Sequence, residues 1–460
     1  MTAVEAGPFL AEGALTTATS PPLPGKEVEA VQLERLRRQL GYCYERSEFY
    51  QRRFDALGVH PDDIRSLEDF RQLPLVVTKV DERESEAESL ERYGHPFGMH
   101  LCADPVEVVG ISASTGTTGR PTFTYLFTAS DLRKLDLIWA RAMAWIGAPK
   151  GSLVLSGLGL SMWVVGTLAI RSLIEIGMRP IPVGAEGGVP RMLQMAELLS
   201  PEVLLCTPSL AERLVEQAPE LLGKPVEQLG IRKLVCCGEP GAGLPEVRRR
   251  LEEAFGARVY DAQLGAHRTQ LSCDSDGCHG MHHLTEDLAL LELVDASTGV
   301  SVKMEDGATG RLLQTSLAHQ ARPSLKFDTG DIFEVFTAPC PGCGRGYRRL
   351  RILGRADDML IVRGVNLYPS AVKDVVAEFV PRTTGEVRIV LSEPPPRVSP
   401  PLRLKVERGA EVGADEVQKL IVELEHRIFD VLRCRAAVEV VEPFSLLRST
   451  SKSALVERAF

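Results

Sequence analysis

The sequence predicts an α/β protein with a large N-terminal domain of stacked sheets and helices and a small α+β C-terminal domain. Three observations support this fold class. The chain has 460 residues, more than one ordinary domain. Over residues 152–260, short apolar runs typical of buried strands alternate with helical patterns, which indicates parallel sheets. Beyond residue 365, helix and strand patterns follow in the order helix, strand, strand, helix, strand, which suits a compact α+β unit.

Composition and charge exclude several functional classes. Hydrophobic residues make up 44% and charged residues 25%, which are ordinary globular values. With a net charge of −9 and no basic run, a nucleic-acid surface is not expected. No apolar stretch reaches membrane-spanning length, and the N-terminus lacks the basic region of a signal peptide. We therefore expect a cytoplasmic protein whose ten cysteines are reduced thiols or metal ligands.

The N-terminal third contains three predicted elements. Residues 1–25 are rich in Ala, Thr and Pro and are expected to form a flexible lead. Residues 28–54 carry apolar side chains at three- and four-residue spacing, which predicts a helix. V-E-V-V-G-I, at residues 106–111, predicts a buried strand. Ser130 and Asp131 are expected to cap the helix that follows.

A loop rich in hydroxyls and glycines is the first candidate site. It reads S-A-S-T-G-T-T-G-R-P-T over residues 112–122. Gly116 and Gly119 accept positive φ, so successive backbone N–H groups can point toward one centre and bind phosphate oxygens. The spacing is not that of a Walker A loop. Taken alone, a Ser/Thr-rich surface turn is the better interpretation, so other stretches must decide.

S-T-G-T-T-G-R-P-T resembles the phosphate-binding loop of the acyl-adenylating enzymes, in the branch typified by phenylacetate–CoA ligase. Y-E-R-S-E-F-Y-Q-R-R-F near the start and I-L-G-R-A-D-D-M-L-I-V-R-G-V-N-L-Y-P at residues 352–369 are similar to that family too. The resemblance implies a large AMP-binding domain over residues 26–354, a hinge, and a small mobile domain over residues 355–460. One difference is Arg120, where the family usually has Lys; an Arg forks whereas a Lys is a point charge.

The resemblance implies roles for individual residues. The loop would bind the ATP phosphates, Gly238, Glu239 and Pro240 would line the adenine slot together with Tyr260, and Asp331 would accept the ribose hydroxyls. The small domain would swing about Asp357 and bring Lys452 to the charge that forms when a carboxylate attacks the α-phosphate. Singly, these are equally a core tyrosine, a turn aspartate and a solvated lysine. The implied nucleotide-binding residues are Ser114, Thr115, Gly116, Thr117, Thr118, Gly119, Gly238, Glu239, Pro240, Tyr260, Asp261, Asp331, Arg355 and Lys452, and the implied catalytic residues are Lys452, Thr117 and Thr118.

One position departs from the family pattern Y-G-x-S/T-E, whose Glu holds the Mg²⁺ that bridges the ATP phosphates. This chain reads Y-D-A-Q-L, with Leu264 at the Glu position. Leucine cannot ligate a hard cation that requires oxygen. Three alternatives remain open. Asp261 or Gln263 substitutes, or the substrate phosphates hold the metal with Thr117 or Thr118, or the first half-reaction is impaired. We expect a rearranged but active site.

Cysteine and histidine residues form two clusters, C-D-S-D-G-C-H-G-M-H-H at residues 273–283 and C-P-G-C at residues 340–343. A C-x₂-C pair with a second Cys/His cluster has the spacing of a tetrahedral zinc site. Such a zinc would be structural, because it would join two loops and add to folding stability. Unconnected thiols are the alternative. The resembled family often carries a Cys followed by G-L-H-x-x-E-D and later C-P-C-G, and G-M-H at residues 280–282 falls at the matching place. The resemblance therefore implies the ligands Cys273, His282, Cys340 and Cys343, with Cys278 and His279 as competitors.

The resemblance predicts a two-step AMP-forming ligase. An aromatic or arylacetic carboxylic acid would react with ATP, and coenzyme A would then take the acyl group. The implied cofactors are ATP, Mg²⁺, coenzyme A and structural Zn²⁺. Met162, Trp163, Val164, Phe123 and Tyr125 are candidate walls of the acid pocket, or else core residues.

Two alternatives to this function remain. In the first, the acyl group passes to a separate carrier protein or to an amine. In the second, Leu264 has abolished metal handling, and the protein is a nucleotide-binding pseudoenzyme. Neither a nucleic acid nor a membrane is an expected partner, and association into a homodimer is left open.

Overall fold

The computed structural model describes residues 25–114, 122–239, 241–356, 358–362, 365–446 and 455–459. Several predicted site residues lie outside these ranges, so their roles stay predictions. They are Thr115, Gly116, Thr117, Thr118, Gly119, Pro240, Asp357 and Lys452.

Four helices open the described chain and pack on the central sheet. The single helix expected over residues 28–54 is in fact two, because Ser47 adopts an extended conformation and its hydroxyl caps the second helix by accepting from the Tyr50 N–H. Buried side chains such as Leu40 and Phe54 join a core that also contains Leu290. The helices are α1 (Lys26–Arg46), α2 (Glu48–Leu57), α3 (Leu67–Gln72) and α4 (Lys79–Tyr93).

A hairpin and a helix follow, and both differ in detail from the sequence expectation. The first strand begins at Gly110, and Val106 and Val109 before it are exposed rather than buried. The helix cap is Thr128, because its hydroxyl accepts from the Asp131 N–H while the Asp131 carboxylate accepts from the Thr128 N–H. The elements are β1 (Gly110–Ser114), β2 (Thr122–Phe127) and α5 (Ala129–Trp145).

The large domain is built on one twelve-stranded sheet. Its first part is parallel, as expected, in the order β4-β3-β5-β6-β7. The rest of the sheet continues antiparallel from β7 in the order β8, β9, β14, β13, β12, β10 and β11. The sheet as a whole is therefore mixed. The strands are β3 (Leu153–Ser156), β4 (Arg179–Pro182), β5 (Val203–Cys206), β6 (Lys233–Cys236), β7 (Arg258–Leu264), β8 (Thr269–Leu271), β9 (Met281–His283), β10 (Ala289–Val294), β11 (Ser301–Val302), β12 (Thr309–Ser316), β13 (Phe327–Phe336) and β14 (Arg349–Arg355).

Helices cover both faces of the parallel part, because its strands are apolar on both faces. One core, with Leu193, Leu214 and Leu251, lies beneath three helices, and a second, with Leu135 and Leu173, lies beneath α5 and the helix after β3. Among the described residues, no helix is long and apolar enough to cross a membrane. The helices are α6 (Thr167–Glu175), α7 (Gly188–Leu199), α8 (Pro208–Leu222) and α9 (Pro245–Phe255).

The C-terminal part forms the α+β unit that the sequence predicts. Its own core contains Val372, Ile389, Leu404 and Leu424. A four-stranded sheet has the order β20-β19-β17-β21, and a three-stranded sheet has the order β16-β15-β18. The elements are β15 (Leu360–Val362), β16 (Val365–Leu367), α10 (Pro369–Ala377), β17 (Thr383–Leu391), β18 (Arg397–Val398), β19 (Leu402–Arg408), α11 (Ala414–Leu432), β20 (Ala436–Val441) and β21 (Val456–Arg458).

Candidate active site

Asp331 and Arg355, two predicted nucleotide-binding residues, lie side by side. They pair in register across β13 and β14, and Arg355 Nη1 donates to Asp331 Oδ1 over 2.9 Å. Asp331 is not in a turn, which was the alternative interpretation, but lies within β13, which runs on to Phe336. Gly330 has a φ of 75°, and a Cβ there would lie 3.0 Å from an Arg355 nitrogen. This close approach explains the glycine before the carboxylate.

A third charged residue, Arg268, reaches the same carboxylate, with its Nη2 atom 3.8 Å from Asp331 Oδ2. Arg268 lies in the turn between β7 and β8, beside His267. The ring of His267 lies 5.8 Å from the ring of Tyr125 on β2, the strand that follows the phosphate-loop residues. These contacts connect the hairpin β1–β2 to the strand that carries Asp331.

His267 is buried, and its Nδ1 atom has no hydrogen-bond partner among the described residues. Burial, together with the nearby His319 and Lys134, lowers the pKa of His267 well below its ordinary value. The imidazole is therefore neutral at physiological pH. A neutral ring at this point leaves the positive charge near Asp331 to the two arginines.

Gly238 and Glu239, of the predicted adenine slot, follow β6 at the carboxyl edge of the parallel strands. The Glu239 carboxylate is fixed because its Oε1 atom accepts from the Ser209 N–H, over 2.8 Å, and from the Ser209 hydroxyl. Gly238 has a φ of 92°, a conformation that favours glycine. The loop after β6 is thus held against the start of α8 at the carboxyl edge of the parallel strands.

Tyr260 and Asp261 lie inside β7, because that strand continues to Leu264. Tyr260 is buried, and burial, with a contribution from Asp274, raises the pKa of its hydroxyl to about 12. Asp261 approaches the loop after Glu239, since a Cβ on Gly243 would lie 2.7 Å from Asp261 Oδ2. Burial raises the pKa of Asp261 to about 6. Tyr260 is therefore a core residue as well as a candidate for the slot.

The residues at the expected Mg²⁺ position fit the ion only in part. Leu264 offers no oxygen. The Oε1 atom of Gln263 is buried without a hydrogen-bond partner among the described residues, so one neutral oxygen is available. Asp261 approaches Gly243 instead. We therefore assign no reaction step to this metal.

The predicted zinc ligands come together. One ligand atom from each of Cys273, His282, Cys340 and Cys343 lies within 4.8 Å of the others. The Cys273 and Cys340 sulfurs are 3.9 Å apart, and Cys343 Sγ is 3.7 Å from His282 Nε2. A tetrahedron with Zn–S bonds of about 2.3 Å has edges of about 3.8 Å, so the spacing fits that ion. The cluster joins the loop after β8, strand β9 and the loop between β13 and β14.

The two competitor ligands differ from each other. Cys278 Sγ lies 3.8 Å from His282 Nε2 and accepts from the Cys273 N–H over 3.2 Å, so Cys278 borders the cluster. His279 is exposed and lies outside the group of four. Cys278 is therefore the one alternative ligand that the geometry retains.

The candidate walls of the acid pocket divide into exposed and buried residues. Met162 is 45% exposed, whereas Val164 is buried in the core with Tyr125 packed against it. The Ala113 N–H of β1 donates to the Met162 carbonyl over 2.8 Å, so this segment lies beside the phosphate-loop hairpin. The side chain of Phe123 is outside the described part of the chain.

Comparison with known proteins identifies the family. The chain is 32% identical to the phenylacetate–coenzyme A ligase of Thermus thermophilus over 425 residues, which cover 91% of this chain and 90% of that enzyme. The chain belongs to the phenylacetate–CoA ligase family. Residues 364–457 also match the family model of the AMP-binding enzyme C-terminal domain. As a member of this family, the protein is an AMP-forming acid–CoA ligase.

Solved structures agree with this family assignment. The 2-hydroxyisobutyryl-CoA ligase in its postadenylation state, bound to 2-HIB-AMP, is 31% identical and superposes with a TM-score of 0.85, covering 95% of this chain and 91% of that one. The same enzyme in its thioesterification state, with 2-HIB-AMP and CoA, is 31% identical and gives a TM-score of 0.68, covering 98% and 95%.

Sequence reasoning missed Arg268 and His267, although both lie within four residues of Leu264. The available signal was a histidine followed by an arginine shortly after the altered metal motif. It was overlooked because nothing in the sequence shows that the strand turns back at residues 265–268 and meets Asp331 on a distant strand.

Proposed function

We propose that this protein activates an aromatic or arylacetic acid with ATP and transfers it to coenzyme A. In the first step a carboxylate oxygen attacks the α-phosphorus of ATP, and pyrophosphate leaves. In the second step the CoA thiol attacks the acyl carbon, the thiol proton is lost to solvent, and AMP leaves with the electrons of the broken bond. Two similar proteins, the phenylacetate–coenzyme A ligase of Thermus thermophilus and the 2-hydroxyisobutyryl-CoA ligase, are named as acid–CoA ligases, which supports this scheme.

The observation that carries the proposal is the set of contacts around Asp331. This carboxylate is held by Arg355 and Arg268, and its oxygens retain lone pairs for the two hydroxyls of a ribose. Tyr125 and His267 connect it to the predicted phosphate-binding hairpin. A nucleotide lying between them would direct its α-phosphate toward the segment at residues 162–164, where the acid is expected.

The acid class is supported by apolar surroundings. Val164, Leu158 and Ala262 are buried near Tyr125 in one core cluster, and Trp163 lies over Gly159. An apolar wall of this kind favours an aromatic ring over a charged or strongly polar acid. His267 adds one neutral polar group at its edge.

The proposal is tested by CoA-dependent AMP release with a panel of acids. Phenylacetate and ring-substituted benzoates are expected to turn over at least tenfold faster than short aliphatic acids such as acetate. Faster turnover of the aliphatic acids would contradict the aromatic assignment while leaving the ligase activity intact. Transfer to a carrier protein would be supported if acyl-adenylate accumulated and CoA did not release AMP.

Zinc at the Cys273–His282–Cys340–Cys343 cluster is part of the proposal as a structural ion. When bound, it would neutralise thiolates and hold two loops together.

The Leu264 substitution favours a second candidate, the pseudoenzyme, in which nucleotide binds without chemistry. Absence of AMP release with every acid, combined with measurable ATP binding, would support that alternative.

A further inference from the structure

Lys373 of the small domain is a buried cation at the boundary with the large domain. It lies on α10, is 7% exposed, and its amine is 3.4 Å from Glu386 Oε1 on β17. Arg388, on the same strand, donates to Glu386 Oε2 over 3.2 Å. Within the small domain, Glu386 therefore has two cationic partners.

Two carboxylates of the large domain also act on Lys373. Burial by itself lowers the pKa of Lys373, but attraction by Glu386, Glu212 and Glu239 outweighs it and raises the pKa above its ordinary value. Glu212 is on α8, and Glu239 follows β6. The amine thus stays charged and is attracted across the domain boundary.

Further contacts cross the boundary at the same place. Arg250 of α9 donates to the Thr384 carbonyl of β17 over 3.2 Å and also forms an ion pair with Glu212. Ala377, at the end of α10, is buried in the core beneath α7, α8 and α9. Lys373 is therefore a buried charge beside a packed contact between the two domains.

The contact leads directly to the nucleotide site. Glu239 belongs to the predicted adenine slot and is oriented by Ser209 at the start of α8. Attraction between Lys373 and Glu239 therefore holds the small domain beside the predicted adenine slot. If the small domain rotates away, Glu386 and Arg388 move with Lys373, so the ammonium is not left without a partner. Such a contact can break and re-form at moderate cost.

We propose that Lys373 is a positioning residue for the first half-reaction, because it holds the small domain in the arrangement in which acyl-adenylate forms. This inference rests on the proposed function. The chain superposes better on the relative in its postadenylation state than on the same relative in its thioesterification state, as expected if the contact belongs to the adenylate-forming arrangement. Lys373 is not a catalytic residue, because it acts through the orientation of its domain.

The test measures both half-reactions in three variants. Lys373→Met removes the charge at similar length, Lys373→Arg keeps it, and Lys405→Met removes a cation that pairs with Glu457 inside the small domain. Lys373→Met is expected to lower kcat for acid-dependent ATP–pyrophosphate exchange about tenfold, a typical coupling for a close charge pair. Thioester formation from supplied acyl-adenylate should be unchanged or faster.

The controls separate positioning from simple loss of stability. Lys373→Arg should restore most of the exchange rate, and Lys405→Met should leave both rates at the wild-type level. Equal loss of both half-reactions in Lys373→Met, or wild-type rates in both, would overturn the inference.

A separate outcome concerns the proposed function. If the wild-type protein shows no pyrophosphate exchange with any of the acids tested, the proposed function fails. Solution X-ray scattering then tests the positioning role of Lys373. The Lys373→Met variant must show a larger radius of gyration than wild type for the positioning role to stand. An unchanged radius would overturn it.

Discussion

At the scale of single residues, Asp331 is the side chain on which the proposed nucleotide site depends most. It has two arginine neighbours, and an ionised carboxylate with charged partners forms the strong hydrogen bonds that a ribose requires. Leu264, a few residues before Arg268, shows the opposite case. An expected oxygen ligand is missing there, because the side chain of leucine is apolar.

Replacing Asp331 by Asn should weaken nucleotide binding. A hydrogen bond to a charged group contributes about 1.5–3 kcal/mol, so KM for ATP should rise about 10- to 100-fold, with a smaller change in KM for CoA. Steady-state kinetics with ATP varied measures this effect.

Glu334→Gln is the matched control for Asp331→Asn. Glu334 lies on the same strand and pairs with Arg351 of β14, as Asp331 pairs with Arg355, but Arg351 is exposed. It should leave KM for ATP unchanged. If the two variants behave alike, Asp331 does not contact the nucleotide.

At the scale of elements, the zinc cluster joins a loop after β8 to the loop between β13 and β14. Its four ligand atoms have the spacing of a tetrahedron, while the chain between Cys273 and Cys340 forms five strands. Metal binding would therefore restrain loops that are far apart in sequence, and the restraint should appear in the thermal stability.

Cys340→Ser should remove the bound zinc and lower Tm by about 5 °C or more, since losing a few kcal/mol shifts a large domain by several degrees. Elemental analysis of the purified protein and a melting curve measure the two effects. Cys278→Ser is the control, and it should retain zinc. Zinc loss in Cys278→Ser with retention in Cys340→Ser would show that the ligand set is different.

Helix α4 contains a partly buried carboxyl group that predicts a pH effect. Burial raises the pKa of Glu86 to about 7, although Arg322 acts in the opposite direction. Between the unfolded pKa, near 4.5, and 7, the folded state holds a proton that the unfolded state has lost. This group therefore removes stability as pH rises through that window.

Glu86→Gln fixes the neutral form and should become more stable relative to wild type as pH rises from 4.5 to 8. The relative gain should be on the order of 1–2 kcal/mol, reduced from the full shift because the side chain is partly exposed. Urea unfolding at several pH values measures it. The exposed Glu84→Gln on the same helix should show no such trend, and a flat difference for Glu86→Gln would refute the prediction.

The sequence predicted those elements whose pattern is strong and local. Helix α11, over Ala414–Leu432, is the second helix expected beyond residue 365, because its apolar side chains recur at helical spacing. The break at Ser47 and the cap at Thr128 were missed, since side-chain hydrogen bonds decide them and several nearby hydroxyl residues could serve. The four Cys and His residues of the candidate metal cluster could be predicted to meet, because thiols in pairs are a distinctive signal.

At the scale of the whole molecule, the arrangement of the two domains could not be read from the sequence. Lys373 appeared only as one lysine in a helical pattern, and its partners Glu212 and Glu239 are more than a hundred residues away in the chain. The roles predicted for the phosphate loop, Asp357 and Lys452 likewise depend on how the domains meet. Contacts at the domain boundary are therefore the feature that the sequence predicts least, and experiments on them are the most informative.

The central claim is that a nucleotide bound at Asp331 reacts with a carboxylic acid at its α-phosphate. Acid-dependent exchange of labelled pyrophosphate into ATP measures this step without coenzyme A. We predict exchange that requires an aromatic acid and that falls at least tenfold in Asp331→Asn. Exchange that is absent with every acid, or that does not depend on the acid, would contradict it.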